Sequence, residues 1–233
     1  MKITNETREL LSNLAGINKN FLFKRGASQI AKNQSNSIYM NANIEFDMTA
    51  ESGLYELYEA GVYDITKVVA GINSLECPEI RFSENSLSVI GGDTEMIFAL
   101  TDRSKLKVTT KPIKFPDLID CKFELSSNKI TQIINYAKTV YGSTKSFLTG
   151  RVLFVGDGRT INALVQESNK IANDVLKINL GECDQTFRFM VSVNNLKLLM
   201  KDDYVVEYSP KRICRFSCKS KKAIYYCSTE NID

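Results

Sequence analysis

Cys121-Lys-Phe-Glu-Leu-Ser-Ser-Asn-Lys-Ile-Thr-Gln-Ile-Ile-Asn-Tyr-Ala-Lys-Thr-Val140 changes its hydrophobic period partway along. Cys121 to Leu125 alternates apolar and charged residues, the pattern of a half-buried strand. From Ser126 or Ser127, either able to cap a helix, Ile130, Ile133, Ile134, Ala137 and Val140 recur at three- and four-residue spacings. That leaves Asn128, Lys129, Gln132, Asn135 and Lys138 on the solvent face. A strand running into an amphipathic helix is therefore expected here.

Downstream, strands are expected at Arg151-Val155 and Thr160-Gln166, joined by Gly156-Asp-Gly158. This is a hairpin turn and not a phosphate loop, because no Gly-Lys-Ser/Thr or helix follows it. Strands Asp174-Leu180 and Thr186-Val191 precede a short helix, Ser192-Met200, capped by Ser192, and strands Tyr204-Tyr208, Ile213-Cys218 and Ala223-Cys227 close the chain. Upstream the same order is legible. A helix over Ile3-Ile17 leads into strands Phe21-Lys24, Ser28-Lys32 and Ser37-Phe46, and a strand-like stretch near Tyr55-Val62 precedes a helix over Asp64-Leu75 with Asp64 as its cap. Strands Ile80-Ser83, Ser86-Ile90 and Glu95-Leu100 follow. Residues 102 to 120 interrupt the pattern, and Pro112 and Pro116 favour an extended connector. The expectation is an α+β fold of two similar domains, 1–110 and 121–233, joined by a connector over 111–120. Each is an antiparallel sheet with two helices on one face.

Composition narrows the function classes. No apolar run of the 233-residue chain approaches the roughly 20 residues that span a bilayer, and the polar start, Met1-Lys-Ile-Thr-Asn-Glu-Thr-Arg8, is not a secretory signal. A cytoplasmic protein without a membrane partner is expected. Cys77, Cys121, Cys183, Cys214, Cys218 and Cys227 show no C-x-x-C spacing and there is no histidine, so free thiols are expected in place of a metal site. Cys214 and Cys218 fall on one side of their strand as small apolar fillers. Without histidine the commonest general base near neutral pH is missing, and no cofactor motif is present, so an enzyme is not expected. The acid pairs Glu45/Asp47, Asp93/Glu95 and Asp202/Asp203 read as solvated carboxylates at turns. The net charge of +3 is mild, so any hold on nucleic acid must come from where the charges lie.

The opening Met1-Lys-Ile, the helix ending Leu10-Leu-Ser-Asn13 and Gly16-Ile-Asn18, the segment Tyr39-Met-Asn-Ala-Asn-Ile44 and the connector Lys111-Pro-Ile-Lys-Phe-Pro116 resemble the sliding DNA clamps of T-even-type bacteriophages. Tyr63-Asp64 and the helix behind it match more weakly, and the second half resembles the family in its order of elements. The resemblance implies a DNA polymerase processivity factor: a ring-shaped head-to-tail homotrimer whose helices line the hole around duplex DNA. It also implies an ATP-driven clamp loader, the replicative DNA polymerase and late-transcription factors as partners, in the cytoplasm of an infected bacterial host. The family is acidic overall, whereas this chain is slightly basic.

A clamp that holds duplex DNA and still slides needs a few exposed cations and no contacts to base edges. The DNA-facing candidates are Lys2 and Arg8 on the first helix, Lys67 on the second, Lys129 and Lys138 on the third, and Lys197 and Lys201 on the fourth, with Lys19 and Lys145 in adjoining loops. A head-to-tail ring needs two different complementary surfaces. Asp174-Leu180, with Val175, Lys177 and Asn179, and the region from Leu100 through Lys107 to Thr109 are the expected edges. Ile113, Phe115, Leu118 and Ile119 of the connector, with Tyr208, Tyr225 and Tyr226, are the expected walls of a partner groove. Two other readings use the same features: a phage structural or assembly protein associating through those edges, and a monomeric processivity factor with an open basic face.

Overall fold

In a computed structural model, which describes residues 1–48, 57–141, 150–166 and 175–230, the first helix α1 spans Asn5–Ile17. The Thr4 hydroxyl caps it, accepting from the Thr7 backbone N–H at 3.1 Å. Leu10, Leu11, Leu14 and Ile17 form its buried stripe. The helix starts later than the apolar spacing predicts, because the Ile3 N–H donates to the Pro78 carbonyl and Lys2 forms a β-bridge with Glu79. Those first residues pair as a strand would.

The chain divides into two compact units, Met1–Pro112 and Ile113–Asp233. In the first, α1 is followed by β1 (Phe21–Lys24), β2 (Ser28–Lys32), β3 (Ile38–Asn43), β4 (Glu59–Val62), α2 (Ile65–Ser74), β5 (Glu79–Phe82), β6 (Ser86–Gly91) and β7 (Thr94–Ala99). The pairings β1–β4, β2–β3 and β5–β6–β7 are all antiparallel. Helix α1 packs on α2, β2 and β3, while α2 packs on β6. Phe21, Phe23, Phe46 and Phe82 meet edge to face in the core. Gly61 marks a close approach: a Cβ there would overlap the Thr101 carbonyl oxygen and the Leu106 side chain.

The second unit contains β8 (Cys121–Leu125), α3 (Ser127–Tyr141), β9 (Arg151–Asp157), β10 (Thr160–Gln166), β11 (Val175–Glu182), β12 (Thr186–Ser192), α4 (Val193–Lys197), β13 (Tyr204–Ser209), β14 (Ile213–Cys218) and β15 (Ala223–Ser228). One sheet runs in the order β11-β10-β9-β12, and β15, β14, β13 and β8 pair in that order in another. Helix α3 packs on β9, β10, β11 and α4. Phe123 and Tyr208 of one sheet stack or tilt against Phe154, Phe187 and Phe189 of the other, with the Phe189 and Tyr208 centroids 4.5 Å apart. Helix α4 is shorter than expected, since the chain leaves α-geometry at Leu198 and closes with three-residue bonds from Leu198 N–H to Asn195 and from Leu199 N–H to Leu196. Cys214 is buried and Cys218 half-buried, both projecting from the core side of β14.

Asp202 is not the solvated turn acid that its sequence context suggests. It is 7% exposed, and its carboxylate accepts the backbone N–H groups of Asp203 at 2.7 Å, Ser220 at 3.2 Å and Lys221 at 3.0 Å. A carboxylate that satisfies three backbone donors is stabilised out of water. Among the described residues no helix is long and apolar enough to cross a membrane.

Candidate nucleic-acid and partner surfaces

Each unit presents a helix pair with one face buried and the other in solvent. On α2, capped by Asp64, the outward residues are Thr66, Lys67, Ala70, Asn73 and Ser74. On α3 they are Asn128, Thr131, Gln132, Asn135, Tyr136, Lys138 and Thr139, with Lys129 half-exposed. Lys197, at the end of α4, is also exposed. Neither α2, α3 nor α4 contains an Asp or Glu, whereas α1 carries Glu6 and Glu9. Ordinary helix surfaces mix both signs. Here the cations have no acidic neighbour on their own helix.

The remaining expected cations fall elsewhere. Lys2 lies in the β-bridge before α1 and not on the helix. Arg8 is half-buried, and its guanidinium donates to the Leu75 carbonyl at the end of α2 at 3.1 Å. It completes a helix C-terminus, where a cation is favourable, so it is committed inside the unit. Lys19 is exposed beside the start of α2, its carbonyl accepting from Ile65 N–H. Lys201 follows α4 in the turn that leads into β13, and Lys145 lies outside the described residues.

Two strands form outer edges of their sheets within the units, β7 in the first and β11 in the second. Val175, Lys177 and Asn179 of β11 are exposed, Val175 by 47%. The expected edge in the first unit is displaced. Leu100 immediately follows β7, with its N–H bonded to the Asn85 carbonyl. Lys107 is held by the turn after α1, its N–H donating to Asn20 Oδ1 at 2.9 Å and its carbonyl accepting from Asn18 Nδ2 at 2.9 Å. Those bonds occupy the backbone groups that an intermolecular ladder would need. The available edge is β7, where Ile97 is 67% exposed on the outer face while Met96 and Phe98 lie against Gly71 of α2. Lys107 instead lines a cleft of about 410 Å³ with Lys32, Asn33, Gln34, Asn36 and Val108.

The residues expected to wall a partner groove separate into two sets. Register places Lys122, Glu207, Arg215 and Tyr226 side by side across β8, β13, β14 and β15, on one face of the sheet. Phe115 lies on that face, 6.1 Å from the Tyr226 ring and 4.4 Å beneath the Arg215 guanidinium carbon. Ile113 is half-buried, and Leu118 and Ile119 are 61% and 38% exposed. Tyr208 and Tyr225 project from the opposite face. Tyr208 stacks on Phe189, and Tyr225 is fully buried with its hydroxyl accepting from Met200 N–H. Neither can share a surface with Phe115. The sequence missed Arg215 and Glu207, although alternation along β14 from Tyr226's partner would have found them.

Two units, each with antiparallel strands and a packed helix pair, define the DNA-clamp class of fold. The chain has the sliding-clamp fold: it aligns over 100% of its length with A. fulgidus PCNA, solved with the C-terminal region of FEN-1, covering 98% of that chain at TM-score 0.69 and 16% identity. It aligns equally fully with the β subunit of DNA polymerase III from Borrelia burgdorferi at TM-score 0.72 and 8% identity, covering 64% of that longer chain. Among curated proteins it is similar to the sliding clamp of Vibrio phage KVP40, 24% identical over 99% of both chains. It is also similar to the sliding clamp of Enterobacteria phage T4, 24% identical over 85% of this chain and 83% of that one. The resemblance to the clamps of T-even-type phages thus extends well beyond the local segments that first carry it. No protein-family model matches the chain.

Proposed function

We propose that this chain is the subunit of a sliding clamp that encircles duplex DNA without reading its sequence and tethers the replicative DNA polymerase for processive synthesis. Three copies close head to tail, β7 of one against β11 of the next. The clamp catalyses nothing and needs no cofactor. A clamp loader opens it, and late-transcription factors use it as a moving platform in the cytoplasm of the infected bacterial host. The observation that carries this reading is the acid-free lysine face of α2, α3 and α4, on a chain similar from end to end to a phage sliding clamp. Phosphates recur about every 1.7 Å along duplex DNA, so a sparse set of lysines finds equivalent partners at every position. Partner tails dock where Phe115 and Tyr226 meet, a mode supported by the PCNA structure with the C-terminal region of FEN-1.

Retention on DNA tests the reading. After loading onto nicked circular DNA the protein stays bound when salt is raised, and it is lost once the circle is cut, because a topological link survives screening. Equal loss from circles and linear DNA would indicate an open basic face. Reversal of Lys129, Lys138 and Lys197 to Glu weakens loading and processivity with the assembly intact.

A further inference from the structure

The chain's excess of positive charge is concentrated in one stretch. Between Lys197 and Lys222 there are eight Lys or Arg against three Asp or Glu, whereas the rest of the chain has 22 against 24. The three-dimensional arrangement gathers half of those cations at one end of the second unit. The turn after α4 carries Lys201, and the β14–β15 turn carries Lys219, Lys221 and Lys222. Asp202 locks the two turns together through Ser220 and Lys221 N–H, and the Lys219 N–H donates to the Asp203 carbonyl at 2.9 Å. Lys221 Nζ reaches back to the Lys201 carbonyl at 3.3 Å.

The acids nearby are spent on the fold. Asp202 is buried under its backbone donors, and Asp203 accepts from Ser127 N–H at the start of α3 at 2.8 Å. Glu124 pairs with Lys219 at 2.6 Å. Lys201 and Lys222 remain fully in solvent on turns whose backbone is fixed from within. The Asp203–Ser127 bond sets this cluster against the first turn of α3, so it continues the surface that holds Lys129.

We infer that the Lys201 and Lys219–Lys222 turns form a second phosphate-contacting surface for duplex DNA, beyond the helix faces. This inference rests on the clamp reading, and it adds a fixed cationic rim against which the duplex backbone leans as it passes. Lysine is suited to this, because a mobile ammonium group bonds successive phosphates without holding one geometry. Base edges are not touched, so sliding is preserved.

Lysine-methyl NMR of the full chain tests it. Reductive ¹³C-dimethylation keeps the charge, and Lys→Arg variants at 129, 197, 201, 219, 221 and 222 assign the signals. On titration at low salt with a short duplex, the signals of Lys201, Lys219, Lys221 and Lys222 shift together with those of Lys129 and Lys197. The K219Q/K221Q/K222Q protein loses about 2 to 3 from the slope of log affinity against log salt, at ~0.9 per phosphate contact. Shifts at Lys129 and Lys197 with none in the two turns overturn this inference and leave the clamp reading standing. No shift at any of the six overturns both. Turn signals that move equally with poly-glutamate mark a general polyanion patch and also overturn it.

Discussion

The guanidinium of Arg215 lies 4.4 Å above the ring of Phe115 and at the same time binds Glu207, with Nη2 and Nε at 2.5 and 2.7 Å from the same carboxylate oxygen. Glu207 is 6% exposed and Lys122 approaches it only at 3.8 Å. Arg215→Ala therefore strands a nearly buried carboxylate and costs about 1 to 3 kcal/mol in denaturant unfolding, less than a fully buried pair because Arg215 is partly in water. The double variant with Glu207→Leu recovers most of that loss. Additive losses would show that the pair does not act as a unit.

Phe115→Ala separates the connector's role from the fold's. It leaves the Arg215–Glu207 pair intact and removes the ring between Arg215 and Tyr226. Binding of the polymerase's clamp-binding peptide, followed by calorimetry, weakens by about tenfold, equivalent to ~1.4 kcal/mol. An unchanged affinity removes Phe115 from the docking surface.

Ile97→Asp tests the β7 edge. The side chain is 67% exposed, so the change alters subunit stability by only about 0.5 kcal/mol. In light scattering the parent protein gives about three times 26.3 kDa, and the variant falls to one chain. A trimer that survives the substitution places the subunit contact elsewhere.

Gly61→Ala is severe although alanine is small. Its Cβ would run into the Thr101 carbonyl, which is backbone and already ordered by the Thr101 N–H to Gly61 carbonyl bond at 2.8 Å. A loss of about 2 kcal/mol or more in thermal or denaturant unfolding is expected from such overpacking.

The cap of α2 makes stability pH-dependent. The Thr66 hydroxyl, donating to Asp64 at 2.5 Å, holds the carboxyl below its ordinary value against the opposing effect of desolvation, with the Thr66 N–H, Lys19 and Lys67 assisting. Because the folded value is depressed, the contribution is complete above the unfolded value near 3.9 and disappears as pH falls through the folded one. Asp64→Asn keeps a cap and loses this acid-limb dependence, measured as unfolding midpoint against pH. Asp64→Ala costs about 1 kcal/mol at neutral pH.

Periodicity made the elements legible. The stripes of α1, α2 and α3 were readable because each buries one continuous face, and Thr4, Asp64 and Ser192 cap their helices through side-chain oxygens. Helix ends were less readable: nothing local to Lys2 or Ile3 announces pairing with residues near 79, and nothing in Leu198-Leu-Met200 announces the three-residue bonds that end α4. The site residues divide for the same reason. Exposed lysines on a helical stripe can be placed from spacing, but the commitment of Arg8 to Leu75 and of Asp202 to Ser220 and Lys221 depends on residues distant in the chain. Tyr208 and Tyr226 look equivalent as aromatic strand residues, and only strand register shows that they face opposite ways.

The pairing of β8 with β13 sets an order of events during synthesis. Cys121 lies opposite Tyr208, so the first strand of the second unit has no ladder partner until the ribosome has delivered nearly the whole polypeptide. The local hairpins β9–β10, β13–β14 and β14–β15 can close early, because short loops cost little entropy. Docking of β8 is the late, long-range step, and until it occurs Phe123 has no sheet to carry it into the aromatic cluster. A nascent chain stalled before Tyr208 exposes that apolar strand, which makes stalled products of this protein natural clients for chaperones and proteases.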